Sequence, residues 1–340
     1  MWSIDSVSGF LSRRLFLGAS VLSGLPGVAR AAPARVFRVA LVMTSSIADG
    51  GWNHLAFLGL RQARDDLGVH VAYAENVAQA EITEVTRGYA DDGYDLILGH
   101  GFQFGSAFIE ICQEYPHQQF FVTSYAPAGE AAANVRFIDL AYYDLAFDTG
   151  ALAALISAGG GVAFIGGQDN PAQKRVMQTF QDGARAARPG MLATGIITGD
   201  YNNASRGREA VESLVAKGVD VIWHTSDVTG LGVLQGAQVA GIKAIGCYTD
   251  QSSMAPAAVA TSTVLQLAWM VHTVIADTLA QAAPTGGEWK PALEQLWAYD
   301  WKGQMFNPAL VSAPMQTGFA TFRHDEHAGL YPRPAQGDTP

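Results

Sequence analysis

Residues 36–54 read VFRVALVMTSSIADGGWNH, and the organisation of the chain follows from how this stretch is parsed. The apolar run at 36–43 is short and rich in valine, so it reads as a strand buried on both faces. A polar loop carrying Gly50 and Gly51 follows, and a helical pattern runs from Asn53 to residue 67. Strand, loop and helix in that order open a βαβ unit. Further apolar runs lie at 69–74, 96–99, 119–123, 135–139, 161–165, 194–198, 219–224 and 243–247. Helical patterns at 81–92, 104–115, 145–157, 172–187, 206–217 and 231–240 separate them. This alternation predicts an α/β fold built on parallel sheets.

The spacing repeats on either side of Ser157-Ala158-Gly159-Gly160, which divides the chain into two Rossmann-like lobes, 36–145 and 157–250, joined by a hinge. Beyond 250 the alternation stops. A long helical pattern at 264–282 precedes a Trp-rich, strand-like stretch at 296–301, so 251–325 is expected to cross the hinge and complete both lobes. Residues 326–340 carry three prolines and no periodicity and read as a loose tail.

The net charge is −10, with no Lys/Arg cluster after the N-terminus. That excludes nucleic acid as a partner, since affinity there rests on neutralising phosphates. Residues 1–31 read as a Tat-type export signal: Ser12-Arg13-Arg14-Leu15-Phe16-Leu17, an apolar stretch to Val28, then Ala29-Arg30-Ala31. The apolar stretch is interrupted by Gly18, Gly24, Pro26 and Gly27 and is too short for the ~30 Å of bilayer hydrocarbon. No cysteine lies near the cleavage site to carry a lipid. The expected mature protein is therefore a soluble periplasmic monomer. Cys112 and Cys247 sit among apolar residues and read as core thiols.

Open α/β sheets bind ligands beyond the C-terminal ends of their strands, so the loops after the strands carry the candidate site. In the first of them, Asp49 and Asn53 suit a helix start. Trp52 reads either as a core aromatic stapling that helix or as a stacking face for a planar ligand. His100, Phe102, Tyr125, Asp169, Asn170 and Asp250 follow later strands, and Asp250 reads equally well as a hinge brace. Asp200, Tyr201, Asn202 and Asp227 are weaker candidates. No dinucleotide fingerprint, phosphate loop, HExxH or GxSxG occurs, so neither catalysis nor a cofactor is expected. His324 and His327 stand three apart in the tail, which is not a metal signature.

Several of these segments, taken in order, resemble the BMP family of basic membrane proteins and purine-nucleoside-receptor-like binding proteins. Asp49-Gly50-Gly51-Trp52-Asn53, then Gly59-Leu60, resembles the family's D-x-x-[FW]-N…G-L opening. Gly99-His100-Gly101-Phe102, Gly166-Gly167-Gln168-Asp169-Asn170-Pro171 and Thr229-Gly230-Leu231-Gly232 follow in the family's order, and the likeness runs over about 36–275. The resemblance implies a type I periplasmic-binding fold, a partner permease of an ABC importer, and a purine nucleoside or base as ligand. It implies two aromatic rings around the base. Trp52 matches the first, with Asp49 and Asn53 as polar partners, and Trp223 falls where the second is expected.

Two positions depart from the pattern. Where nucleoside binders carry G-V-D-S-D-Q, this chain has Gly246-Cys247-Tyr248-Thr249-Asp250-Gln251, with Tyr248 in place of a sugar-binding aspartate. The family's S-x-x-K has become Ser262-Thr263-Val264-Leu265. Vicinal hydroxyls lose partners by both changes, which favours a free base over its nucleoside. Two rivals share the fold or the export signal. One is a sensor that presents its ligand to a membrane receptor; the other is an exported purine-processing enzyme, which would need an acid/base pair the sequence does not display.

Overall fold

The computed structural model describes residues 35–123 and 132–331. The strands and helices, numbered along the chain, build two six-stranded sheets. The first has the order β11-β5-β4-β3-β1-β2. Its members are β1 (Arg38–Met43), β2 (His70–Ala74), β3 (Leu96–His100), β4 (Gln119–Val122), β5 (Val135–Ile138) and β11 (Gly287–Trp289), all paired parallel. The second has the order β12-β10-β9-β8-β6-β7. It contains β6 (Gly161–Gly166), β7 (Ala193–Ile197), β8 (Val219–Thr225), β9 (Lys243–Tyr248), β10 (Val259–Leu265) and β12 (Trp297–Asp300). Here only the β10–β12 pair is antiparallel.

Helices cover both faces of each sheet, which is why β1, β3 and β6 are apolar with little alternation. Helix α1 (Trp52–Leu67) ends on Gly68, whose left-handed φ of 68° lets its N–H cap the carbonyl of Arg64. In the second lobe α5 (Pro171–Ala187) starts on an Asn170 cap with proline in its first turn. Between these helices the chain changes lobes. After β5 it passes through Asp139, Leu140 and Ala141 into α4 (Tyr142–Ile156), which packs on α5 rather than on the first sheet. The passage therefore lies a few residues ahead of the expected boundary at 145.

The chain returns after β10, where α8 (Leu267–Leu279) packs on α1, and it leaves again between β11 and β12. The three passages are tied together. The Trp297 indole N–H donates to the Leu140 carbonyl at 2.7 Å, and the Gln266 N–H to that of Leu296 at 2.7 Å.

Two features differ from the sequence expectation. Residues 259–265 form a strand, and the helix expected over 264–282 begins only at Leu267. Residues 313–327 form α10 (Ala313–His327), so His324 and His327 stand on a helix rather than in a loose end. The export signal and residues 332–340 lie outside the described residues.

Candidate functional site

A cavity of about 370 Å³ opens where the strand ends of the two sheets face each other. Its first-lobe wall starts with the loop after β1. There Asp49 spends its whole carboxylate on the start of α1. Oδ1 accepts the N–H groups of Gly51 (2.9 Å) and His54 (3.0 Å), and Oδ2 accepts the Asn53 N–H and side-chain amide, both at 2.8 Å. Asp49 does not line the cavity; it orients Trp52 and Asn53, which do.

His100, at the end of β3, backs Trp52 from behind. The two rings stack with centroids 4.2 Å apart and planes 20° apart. The imidazole Nε2–H donates to the Trp52 carbonyl at 3.1 Å, which leaves Nδ1 to accept the Thr123 hydroxyl at 2.7 Å. Burial pulls the His100 pKa down to about 4, so the ring is a neutral shelf. Phe102, one turn further on, is part-exposed and lines the cavity, as does Gln103.

Tyr248 ends β9 with a left-handed φ of 71° that turns its ring into the cleft. That ring lies 5.6 Å from the Trp52 indole at 50°. Its hydroxyl accepts from the Tyr142 hydroxyl at 3.1 Å, and burial pushes both phenols well above their usual pKa. Tyr142 and Tyr143 open α4 directly after the first passage between the lobes and line the same cavity. The second lobe adds Asn170, whose Oδ1 caps Gln173 at 2.9 Å, and Tyr201, whose ring lies against the bare backbone of Gly167.

Asp227, the first residue of α7 (Asp227–Ala240), completes this wall. Its φ of 45° is left-handed, and its Oδ1 is closed to water without a hydrogen-bond partner among the described residues. Burial, with the Asp49 carboxylate adding to it, raises its pKa to about 8. No lysine or arginine stands among the lining residues, against two aspartates, Asp139 and Asp227. An anionic ligand would find no compensating cation here.

Three expected site residues lie elsewhere. Trp223 is fully buried in the second lobe, 5.3 Å from Phe164 and stacked on Phe180 at 5.8 Å, with its indole N–H on the Thr263 hydroxyl. It is a core residue because β8 continues two residues past it to Thr225, so Trp223 is inside the sheet and not at its rim. Asp250 turns away from the cleft and braces Ser252 and the Lys302 N–H. Asp169 is exposed and pairs with Lys174 at 2.6 Å. Tyr125 lies outside the described residues. Tyr142, Tyr143, Gln103 and Asp139 were not anticipated. The Tyr142-Tyr143 pair at a strand-to-helix junction was the available signal.

The family model described as "ABC transporter substrate-binding protein PnrA-like" matches residues 36–295. This chain belongs to that family. It is a solute-binding protein of the ABC type and not an enzyme. Among PnrA-like relatives, basic membrane protein A of Borreliella afzelii is 23% identical over 276 residues, 80% of this chain and 82% of that one. The transcriptional activator protein med of Bacillus subtilis is 24% identical, over 81% of this chain and 85% of its own. A solute-binding protein of an ABC transporter system from Aeropyrum pernix superposes with a TM-score of 0.72 at 20% identity, covering 89% of this chain and 82% of that one, a likeness of fold. No helix of the described residues is long and apolar enough to cross a membrane.

Proposed function

We propose that this PnrA-like protein captures a purine-type base in the cleft between its lobes and delivers it to a membrane permease outside the cytoplasm, after export through its twin-arginine segment. The observation that carries the reading is Trp52. Its indole lines the cavity, is backed by the neutral His100 ring at 4.2 Å, and is set by the Asp49 carboxylate that wraps the helix start. A ring held so firmly at a cavity wall offers a flat apolar face to a flat ligand, worth about 1–3 kcal/mol per stacked base. Around it, Asn53, Asn170 and the cleft tyrosines supply the few convergent polar groups that orient a ligand.

A base is favoured over its nucleoside because the sugar partners are missing. Tyr248 has its hydroxyl engaged by Tyr142, and Leu265 is buried in β10 opposite Trp297, away from the cavity. Calorimetric titration with adenine, guanine, adenosine, guanosine and ribose tests this. A base binding more tightly than its own nucleoside, with ribose silent, is the expected result. A nucleoside outbinding its base, or no purine bound at all, would overturn it.

A further inference from the structure

We propose that Asp227 selects the ligand: its carboxylate takes two neighbouring N–H donors on one edge of a planar heterocycle, so the cleft prefers the lactam–amine edge of a guanine-type base to the amine–acceptor edge of an adenine-type one. This inference rests on the purine reading and refines it.

Four observations converge on Asp227. Its side chain lines the cavity, and its Oδ1 is buried with no donor among the described residues. An orphaned buried acceptor of this kind carries a desolvation penalty that only an incoming donor removes. The neighbouring carboxylates are already engaged. Asp49 holds four donors at the start of α1, and Asp139 accepts the Ala141 N–H at 2.8 Å. With no cation among the lining residues, the donor for Asp227 must come from the ligand. Finally, Asp227 sits in left-handed backbone at the head of α7, a position aspartate tolerates better than most residues and one that holds its side chain at the cavity wall.

Edge chemistry then decides the ligand. A guanine-type base presents a ring N–H beside an amino group, two donors matched to two carboxylate oxygens. A hypoxanthine-type base keeps the ring N–H and lacks the amine. An adenine-type base sets an acceptor nitrogen beside its amine, which the ionised carboxylate repels and which only the protonated carboxyl, the form burial favours below about pH 8 in the empty cleft, would match. The facing groups, Asp49, Tyr142, Tyr201, Cys247 and Tyr248, supply no positive charge that would reverse this order.

The test is a set of titrations of the full-length protein, buffered above about pH 8 where Asp227 is mainly ionised, with guanine, hypoxanthine and adenine, repeated on D227N, whose amide offers one acceptor and one donor and so matches the adenine edge. For the wild type the expected order is guanine, then hypoxanthine, then adenine, with at least tenfold between first and last. In D227N that preference should shrink by at least tenfold or invert. The wild-type series needs no variant, so a misfolded D227N would leave the test in force. Purine binding without a guanine preference, or with a preference that folded D227N preserves, would overturn the role of Asp227 while leaving the purine reading intact. Failure of every purine to bind would overturn both.

Discussion

His100, His224 and Asp227 are the residues whose burial most clearly sets a pH dependence. His224, like His100, is pulled down to about 4 by burial, its Nε2–H donating to Gln251 at 3.0 Å. Unfolded, each imidazole takes a proton near 6.5, so each contributes stability that is present above that pH and lost as pH falls from 6.5 towards 4. Asp227 works in the opposite sense. Its folded pKa is about 8 against 3.8 for an aspartate in water, so stability falls as pH rises between those values. Two histidines against one aspartate leave a net loss on the acid side, of the order of 1.4 kcal/mol per pH unit for the excess group, and Asp227 alone gives a decline of about the same slope from 6.5 towards 8. Denaturant titrations should therefore show a maximum near pH 6.5. H224Q should flatten the acid limb and D227N the alkaline one; unchanged limbs in both variants would contradict the assignment.

At the same scale the site was only partly legible. The loop 49–53 could be read because its glycines, cap residues and lone tryptophan are local signals. Trp223 could not, because one further turn of strand pairing moves a residue from rim to core and nothing in 219–227 marks where the sheet stops. Asp227 showed as an acidic residue near a strand end, but its missing partner is a three-dimensional property. Tyr142 and Tyr143 were hidden by the assumption that the first lobe's pattern runs through 145.

Elements were more legible than sites. Nine strands announce themselves as short apolar runs, and all nine formed within two residues of their expected bounds. β10 was missed because it reads ATST in its middle. Those side chains are buried but satisfied: Thr261 donates to the Met305 carbonyl, Ser262 accepts the Gln251 N–H, and Thr263 joins Trp223 to the Gly246 carbonyl. Hydropathy cannot see a polar strand whose hydrogen bonds close internally.

The α4–α5 contact carries the second prediction. A Cβ at Gly150 would overlap the Phe180 carbonyl, and one at Gly183 the Phe147 carbonyl, so the two helices approach backbone to backbone through reciprocal glycines. G150A or G183A should each destabilise the protein by about 1–3 kcal/mol through overpacking. Because Tyr142 and Tyr143 begin α4, ligand affinity should fall as well. Unchanged denaturation midpoints in both variants would refute this close packing.

For the whole molecule, the architecture explains why a site exists between two sheets at all. The main apolar core runs continuously from one sheet to the other, and three short passages, pinned by the Trp297–Leu140 and Gln266–Leu296 hydrogen bonds, join them. Hinged lobes of this kind close when a ligand contacts both walls better than it contacts either alone. Here the first lobe offers a rigid ring on Trp52 and the second an unpartnered carboxylate on Asp227, so a flat ligand with a donor edge gains most by bridging them. The measurement that bears most directly on this is a crystal structure of the protein with guanine bound. The expected result is the base lying against the indole of Trp52 with its amino edge on Asp227. A ligand seated elsewhere, or bound in the cleft without touching Trp52, would contradict the account.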